Sequence, residues 1–539
     1  MIHGNDQETA TMRSTEKPAY NPIGENPGRA NESGMGGADG YQRPVLQATR
    51  ILLIFLLPTL LWGARQPNVV FILSDDVGIG DLRTYHADSQ VPSPNLDELA
   101  AQGMTFTQAY APGSVCSPTR YALLSGEFPC RGPLKDTNAS HLSPLSIDPD
   151  SMSLPRMFKE AGYRTAQIGK WHLGYGEKGI TNWAGPIKPG PNELGFDYSL
   201  SLPTNHSDPF KTYVENHALI WLKDHVTDLP GFPEVEDLTR LRYHDEVDTT
   251  LTRKAIDFME AHREEPFFIY LGLVAVHTHI TPHKDFRGQS EIGQLGDYLM
   301  ELDHHVGEIM DALDRLDLAE DTILVFSSDN GGQKDDFRTA GQNLLLRDSS
   351  GQVAEKARDA KTVARTEYGH RTSGDFRGYK GYNYEGGFRV PFTIRWPGKI
   401  KAGSQSTQVM TLADMLATFS GLLGRPLPES AGPDSYDLSP TLLGYKVAPV
   451  KRALILQTGS NRLAFRLGEW KIVSTVPTEW HGDVAHLPLE AMELYHLAED
   501  PGETNDLAGE NPEKAAALHR ELLRLIREGR TVGLEGEYN

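Results

Sequence analysis

Asn68-Val69-Val70-Phe71-Ile72-Leu73-Ser74-Asp75-Asp76 decides the fold. From Val69 to Leu73 every residue is apolar, a run of buried-strand length, and it stops abruptly at Ser74 before a glycine-rich turn. Two acids therefore stand at the C-terminal end of a covered strand. Working outward, Asn95 to Gly103 reads as a helix closed by glycine, Met152 to Gly162 as a second, and Tyr163 to Ile168 as the strand that follows. Pro266 to Val276 and Thr322 to Ser327 are further strands, with the amphipathic stretch Gly296 to Leu316 as a helix between them. The alternation predicts an α/β class: a large mixed, mostly parallel sheet sandwiched by helices. Ligands of such sheets bind beyond the carboxyl ends of the strands. After about Ser420 the texture shifts to Pro/Gly-rich loops, short strands such as Leu463 to Val473, and a final helix from Pro512 to Gly529. This predicts an α/β domain over 65–420 and a smaller C-terminal α+β subdomain over 421–539.

The 539 residues suffice for two or three domains, and 39% hydrophobic content with 9% aromatics excludes a disordered chain. A formal net charge of −21 repels nucleic acid and anionic membrane surfaces, so an anionic substrate must meet a local basic pocket. Cys116 and Cys130 are the only cysteines and allow one bridge at most, so the core rather than disulfides holds the fold. Residues 1–45 are rich in Gly, Asn, Pro, Ser and charge without apolar periodicity, which reads as a disordered or non-mature region. Residues 46–64 have the order of a secretory leader: Arg50, an apolar run from Ile51 to Trp62, then Gly63-Ala64. The run is shorter than the ~20 residues a bilayer-spanning helix needs, which favours export with cleavage near Ala64 over a permanent tether.

Cys116-Ser117-Pro118-Thr119-Arg120-Tyr121-Ala122-Leu123-Leu124-Ser125-Gly126 carries the chemistry. The cysteine stands just before a proline-initiated helix, where backbone N–H groups and the helix dipole favour an anion and can activate a thiol. A lone cysteine there is equally an inert core side chain. The full pattern, however, resembles the sulfatase signature, CxPxR followed by a leucine-rich turn and SG or TG. In that family a dedicated generating enzyme converts the cysteine to formylglycine (3-oxoalanine), whose hydrate attacks the sulfur of a sulfate ester and then expels sulfate by collapsing back to the aldehyde. The resemblance implies that Cys116 is this nucleophile and that Arg120, one helical turn on, points back to fix it.

Asp75 and Asp76 end one strand, and Asp329-Asn330 follow another, so that two sheet ends can face one cleft. Three acids and an amide suit a hard cation rather than a soft one. With Cys116 they match the sulfatase metal set, which implies calcium, with magnesium as the alternative. In Gly169-Lys170-Trp171-His172-Leu173-Gly174 a strand-like path puts Lys170 and His172 on one face. Sulfatases carry the same Lys-x-His, which implies that His172 is a base towards the nucleophile and that Lys170 holds it or a sulfate oxygen. The resemblance places His277 at the leaving-group histidine and Lys380, in Gly378-Tyr379-Lys380-Gly381, at the remaining sulfate-binding lysine. The chain departs from the family at His277, reading Val276-His277-Thr278-His279 where Pro-His-x-Pro is common, so His279 stands as a rival.

The resemblance continues through Tyr298 to Gly307, Arg389-Val-Pro-Phe, Arg395-Trp396-Pro397-Gly398, and Glu493-Leu-Tyr495 with Asp500-Pro501. It is strongest to the arylsulfatase A-like branch and implies an alkaline phosphatase-like fold. It further implies hydrolysis of sulfate esters on a glycosaminoglycan-type sulfated carbohydrate. A phosphonate or phosphate-ester hydrolase of the same superfamily and a non-catalytic sulfoglycan-binding protein are the alternative readings. Gln333 to Lys380 holds ten Lys or Arg against seven Asp or Glu, and such a segment is either a lid that meets a polyanionic sugar, through Arg338, Arg365 and Arg371, or a solvated insertion. Trp183 and His206 are further candidates for sugar stacking or sulfate contact.

Overall fold

The computed structural model describes residues 66–534 apart from 136, 178, 180, 182, 184, 207–211, 221–241, 335–348, 350–359, 447–451, 460–461 and 477–485. The leader-like segment and the N-terminal region before it lie outside the described residues. Along the chain run β1 (Asn68–Ser74), α1 (Pro94–Gln102), β2 (Met104–Phe106), β3 (Ala109–Tyr110), α2 (Cys116–Ser125), α3 (Leu154–Glu160), β4 (Arg164–Lys170) and β5 (Tyr198–Leu202). The short β6 (Tyr213–Glu215) and β7 (Ala218–Ile220) precede α4 (Val247–Ala261), β8 (Phe267–Gly272), α5 (Gln294–Arg315), β9 (Thr322–Ser328), α6 (Ala360–Tyr368) and α7 (Glu385–Phe388). Then come β10 (Phe392–Arg395), β11 (Ser404–Ser406), β12 (Met410–Thr411), α8 (Met415–Leu423) and α9 (Ser439–Leu442). β13 (Ala453–Gln457), β14 (Leu463–Leu467), β15 (Trp470–Ser474), β16 (Met492–His496) and α10 (Pro512–Glu528) complete it.

Ten strands form the main sheet in the order β11-β2-β10-β9-β1-β8-β4-β5-β6-β7. Its centre, β9-β1-β8-β4-β5, is parallel throughout, and antiparallel β10, β6 and β7 make it mixed. All seven residues of β1 are buried, because alternate side chains enter two different cores. Val69, Phe71 and Leu73 join Phe268, Tyr270 and residues of α2, α3 and α8 on one face. Val70 and Ile72 join Ile269, Leu271 and residues of α1, α4 and α5 on the other. Burying one such aliphatic or aromatic side chain is worth about 1.5–3 kcal/mol, so the doubly covered central strands anchor whatever their ends carry.

A second sheet, β13-β14-β15-β16, is antiparallel and packs α10 through Leu518, Leu522 and Leu525. The stretch read as one strand from Leu463 to Val473 is a hairpin, β14 and β15, turned at Gly468 with a φ of 64°. α8 crosses residue 420; its Leu416 and Phe419 belong to the main core, and among the described residues the smaller sheet begins at Ala453. The strand read to Val276 ends four residues early, at Gly272, since Asp248 of α4 takes the N–H groups of Val274 and Ala275, both at 2.9 Å. Among the described residues no helix is long and apolar enough to cross a membrane.

Candidate active site

Four adjacent parallel strands end at one place. Register pairs Ser74 of β1 with Ser328 of β9, so Asp75 and Asp76 emerge beside Asp329 and Asn330. Lys170 is the last residue of β4, and His277 follows β8 by five residues. Every one of these side chains is buried, and Lys380, which joins them from a turn, is partly buried at 14% exposure. Ligand atoms of Asp75, Asp76, Cys116 and His277 all lie within 4.8 Å of one another.

Cys116 is the first residue of α2 rather than its predecessor, capped by extended Val115. Its Sγ lies 3.6 Å from Oδ1 of Asp75 and 3.3 Å from Nζ of Lys380. The helix start does not activate the thiol. Burial first, then the Asp329 carboxylate, push it up to about 12 against the pull of Lys170 and Lys380. Unmodified Cys116 is thus a neutral thiol at pH 7 and a poor nucleophile. Cys130 is likewise a buried free thiol, so no disulfide joins the pair.

Arg120 is fully buried and pairs with Asp329, with Cys116 among the neighbours that act on its charge. Its Nε and Nη2 reach Oδ2 of Asp329 at 2.9 and 2.8 Å, while Nη1 donates to the Lys170 carbonyl at 2.9 Å and the Tyr270 hydroxyl at 3.1 Å. Gly272 makes room for this: a Cβ there would stand 2.8 Å from the Lys170 carbonyl oxygen and 3.2 Å from Nη1 of Arg120. Lys170 Nζ meets Oδ2 of Asp75 at 2.5 Å and Oδ2 of Asp329 at 3.7 Å. Burial, followed by the neighbouring Asp75, raises the Asp329 carboxyl above its ordinary value despite Arg120 and Lys170.

Asp76 behaves oppositely. Burial alone would raise its pKa, but Lys380, Lys361, His277 and Asn330 outweigh it and hold the carboxyl well below the usual range. Its backbone is left-handed, φ 66°, as is that of His172, φ 58°. Two such residues at one centre mark backbone that the surrounding fold must over-determine. The strand-like path predicted through His172 therefore fails, and β4 stops at Lys170. His172 still reaches the centre: burial and the charges of Lys170 and Arg120 keep it well below its ordinary pKa, a neutral imidazole able to accept a proton. His277 is held neutral in the same way, by burial and then Lys380. Its rival His279 is buried two residues on and does not belong to the metal-capable group.

The donor set fits a hard cation. Asn330 gives Nδ2 to Oδ1 of Asp76 at 2.9 Å, which leaves its buried Oδ1 with no hydrogen-bond partner among the described residues. An orphaned amide oxygen beside carboxylates is what an oxygen-coordinated ion requires.

The Lys380 turn is positioned from both sides. Lys380 N donates to the Gly332 carbonyl at 2.9 Å and Gly381 N to that of Ser114 at 2.7 Å. Behind it, Glu385 accepts from Tyr110 (2.6 Å), Arg389 (2.7 Å) and Lys471 (2.9 Å), and Lys471 also meets Glu503 at 2.8 Å. Sequence reasoning overlooked this network and, in the centre itself, Lys361, whose only signal was the basic excess of its segment. Of the arginines singled out there, Arg338 lies outside the described residues, and exposed Arg371 pairs with Asp375. Trp183 is a core residue that donates to the His141 carbonyl at 3.1 Å, and His206 is buried against Thr281 at 2.8 Å.

The sulfatase family model matches residues 67–425. The chain belongs to the sulfatase family. It is accordingly an enzyme that hydrolyses sulfate esters. An N-acetylgalactosamine-6-O-sulfatase of Bacteroides thetaiotaomicron is 35% identical over 506 residues, 86% of this chain and 94% of that protein. Human arylsulfatase A is 32% identical, with 87% and 90% covered. A solved Bacteroides thetaiotaomicron structure, described with the metabolism of multiple glycosaminoglycans, superposes with a TM-score of 0.75 at 33% identity, covering 86% of this chain and all of that one. The large mixed sheet with a separate small antiparallel sheet is the alkaline phosphatase-like architecture of these sulfatases.

Proposed function

We propose that this sulfatase removes the 6-sulfate from N-acetylgalactosamine in a glycosaminoglycan-type carbohydrate, using formylglycine made from Cys116 by a generating enzyme. One observation carries the catalytic part: Cys116 at the head of α2 stands among Asp75, Asp76, His277 and the Lys380 ammonium, as a cysteine too weakly acidic to react unmodified. The sugar rests on identity to the N-acetylgalactosamine-6-O-sulfatase over nearly its whole length. Formylglycine supplies a hydrated aldehyde as nucleophile. Asp75, Asp76, Asp329 and Asn330 would hold a divalent cation, calcium or magnesium, which supplies positive charge for the sulfate group.

The chain's own residues divide the remaining work. Neutral His172 takes a proton from the group at position 116 on its free ring lone pair, which burial and the neighbouring Lys170 and Arg120 keep unprotonated. Lys380, whose burial is outweighed by Asp76 and by position 116 so that its pKa is raised, stays an ammonium and holds a sulfate oxygen. Lys170 fixes the Asp75 carboxylate, and Arg120 fixes Asp329. His277 faces the leaving oxygen. The leader-like residues 46–64 would direct export, where sulfated glycans are met.

The test compares turnover of 6-sulfated N-acetylgalactosamine, the 4-sulfated isomer and an aryl phosphonate by the wild type and Cys116→Ala. Preferential 6-desulfation that Cys116→Ala abolishes is the expected result. Preference for the phosphonate selects the phosphohydrolase reading, and turnover by Cys116→Ala refutes the nucleophile.

A further inference from the structure

The parallel ladders that β8 makes with β1 and β4 both stop at Gly272, yet the next five residues, Leu273 to His277, are still buried. Buried N–H groups beyond a ladder need acceptors from elsewhere. From Val274 onward each one has found its own. Asp248, the second residue of α4, takes the N–H of Val274 on Oδ1 and that of Ala275 on Oδ2, both at 2.9 Å. Val276 N donates to the Asp75 carbonyl at 2.6 Å, His277 N to the Val274 carbonyl at 2.8 Å, and Asp75 N returns a bond to Ala275 at 3.0 Å. The aim of the His277 ring also follows this backbone, since its Nδ1 meets the Thr278 carbonyl at 2.5 Å.

The segment that carries His277 is therefore held on two sides, by the backbone of β1's end and by one carboxylate of α4. That helix is itself fixed, with Val247, Leu251, Ala255 and Met259 in the core beneath the sheet. Asp248 is 2% exposed and stands outside the group of Asp75, Asp76, Cys116 and His277, so its influence there runs through the peptide planes of Val274 and Ala275. An acid is costly at this place. Burial pushes its carboxyl up to about 7 against the pull of His305 and of the two N–H groups. A neutral amide would avoid that cost but offers a single acceptor oxygen, whereas two successive N–H groups require two.

We propose that Asp248 is the positioning residue for His277, clamping the two peptides that set where the imidazole meets the leaving oxygen of the sulfate ester. The inference rests on the reading of His277 given above and extends it to a helix outside the signature motifs.

The experiment compares full-length wild type, Asp248→Asn, His277→Ala and the double variant at about pH 8, above the value of about 7 for Asp248, so that the carboxylate is charged. Each is assayed on 6-sulfated N-acetylgalactosamine, which leaves as an alkoxide, and on 4-nitrophenyl sulfate, whose leaving group needs little help. Thermal midpoints check folding. On the sugar sulfate, His277→Ala should lower kcat about a hundredfold and Asp248→Asn about tenfold with KM within twofold, a fraction of what the histidine supplies. On the nitrophenyl ester Asp248→Asn should stay within twofold of wild type. The double variant should be no more than twofold slower than His277→Ala on the sugar, because a clamp without its histidine has nothing left to position. Should Asp248→Asn not fold, Asp248→Glu, which moves both acceptor oxygens along a longer arm, is read in the same way with the same selective loss expected. Equal losses on both esters, or additive losses in the double variant, overturn the proposal. So does a matching fall in calcium affinity, titrated into chelator-treated protein, which would route the effect through Asp75. If His277→Ala itself loses both esters equally, the assignment of His277 to the leaving oxygen fails instead.

Discussion

Replacing Arg120 by methionine tests whether the pair it forms with Asp329 acts as one unit. Both side chains are 0% exposed, and two guanidinium nitrogens converge on a single carboxylate oxygen at 2.9 and 2.8 Å. Methionine keeps most of the volume but leaves Asp329 with Lys170 at 3.7 Å and the Asp76 N–H at 3.4 Å. The Lys170 carbonyl loses its donor too. Breaking a buried ion pair from one side costs about 3–5 kcal/mol, because the surviving charge is buried without adequate compensation. For a unit running from Arg65 to Asn539, an unfolding entropy of about 2 cal/mol/K per residue makes each kcal/mol worth about 1 °C, so the midpoint should fall about 3–5 °C. Asp329→Asn removes the stranded charge, and the double variant should therefore be more stable than the two single losses sum to, by about 1–3 kcal/mol. Calorimetry in chelator keeps metal binding out of the comparison. Strict additivity, or an Arg120→Met midpoint within 1 °C of wild type, would refute the account of the pair as the clamp that holds Asp329.

The tryptic peptide containing Cys116, from protein made in its native source, should weigh less than the thiol form because of formylglycine; a thiol mass would remove the nucleophile. Chelation should cost the wild type the binding energy of the ion, about 3 kcal/mol at a hundredfold excess over its dissociation constant and so about 3 °C in the midpoint, and Asn330→Ala should blunt that response. His305 is buried, which alone would lower its pKa, but Glu301 and Glu308 raise it to about 9 from 6.5. Its stabilisation of about 3 kcal/mol is therefore complete below pH 6.5 and is lost as pH rises through 9. The wild-type midpoint should fall across that window more steeply than that of His305→Gln, and equal slopes would count against it. Lys471→Met strands Glu503 and leaves Glu385 with Arg389 and Tyr110 alone, and should cost about 3–5 kcal/mol along with turnover; an unchanged urea midpoint would show the network to be dispensable.

What could be read from the sequence follows from the range of the forces involved. Asp75, Asp76, Asp329 and Asn330 were legible because each pair stands directly after an apolar run whose burial fixes both the strand and its end. Lys170 was legible through the Lys-x-His pattern, and the signature beginning at Cys116 is contiguous. Misreadings occurred where a distant partner sets the local backbone. β8 stops at Gly272 because Asp248, on a different element, claims the next N–H groups, and His172 leaves the strand path through its own left-handed backbone, which hydrophobic periodicity does not signal. Lys361 meets Asp76 across 285 positions of sequence, through a helix whose placement depends on two alanines in a core assembled from elsewhere. The same asymmetry explains how the centre was assigned. Its carboxylates are presented by strands and can be read from periodicity. The cations that balance them arrive from α2, the end of β4, the Lys380 turn and α6, and only the completed fold shows which acid each one faces. Arg120, Lys170 and Lys380 each stand in a motif, and Lys361, on α6 outside all of them, is the cation that only the assembled fold reveals.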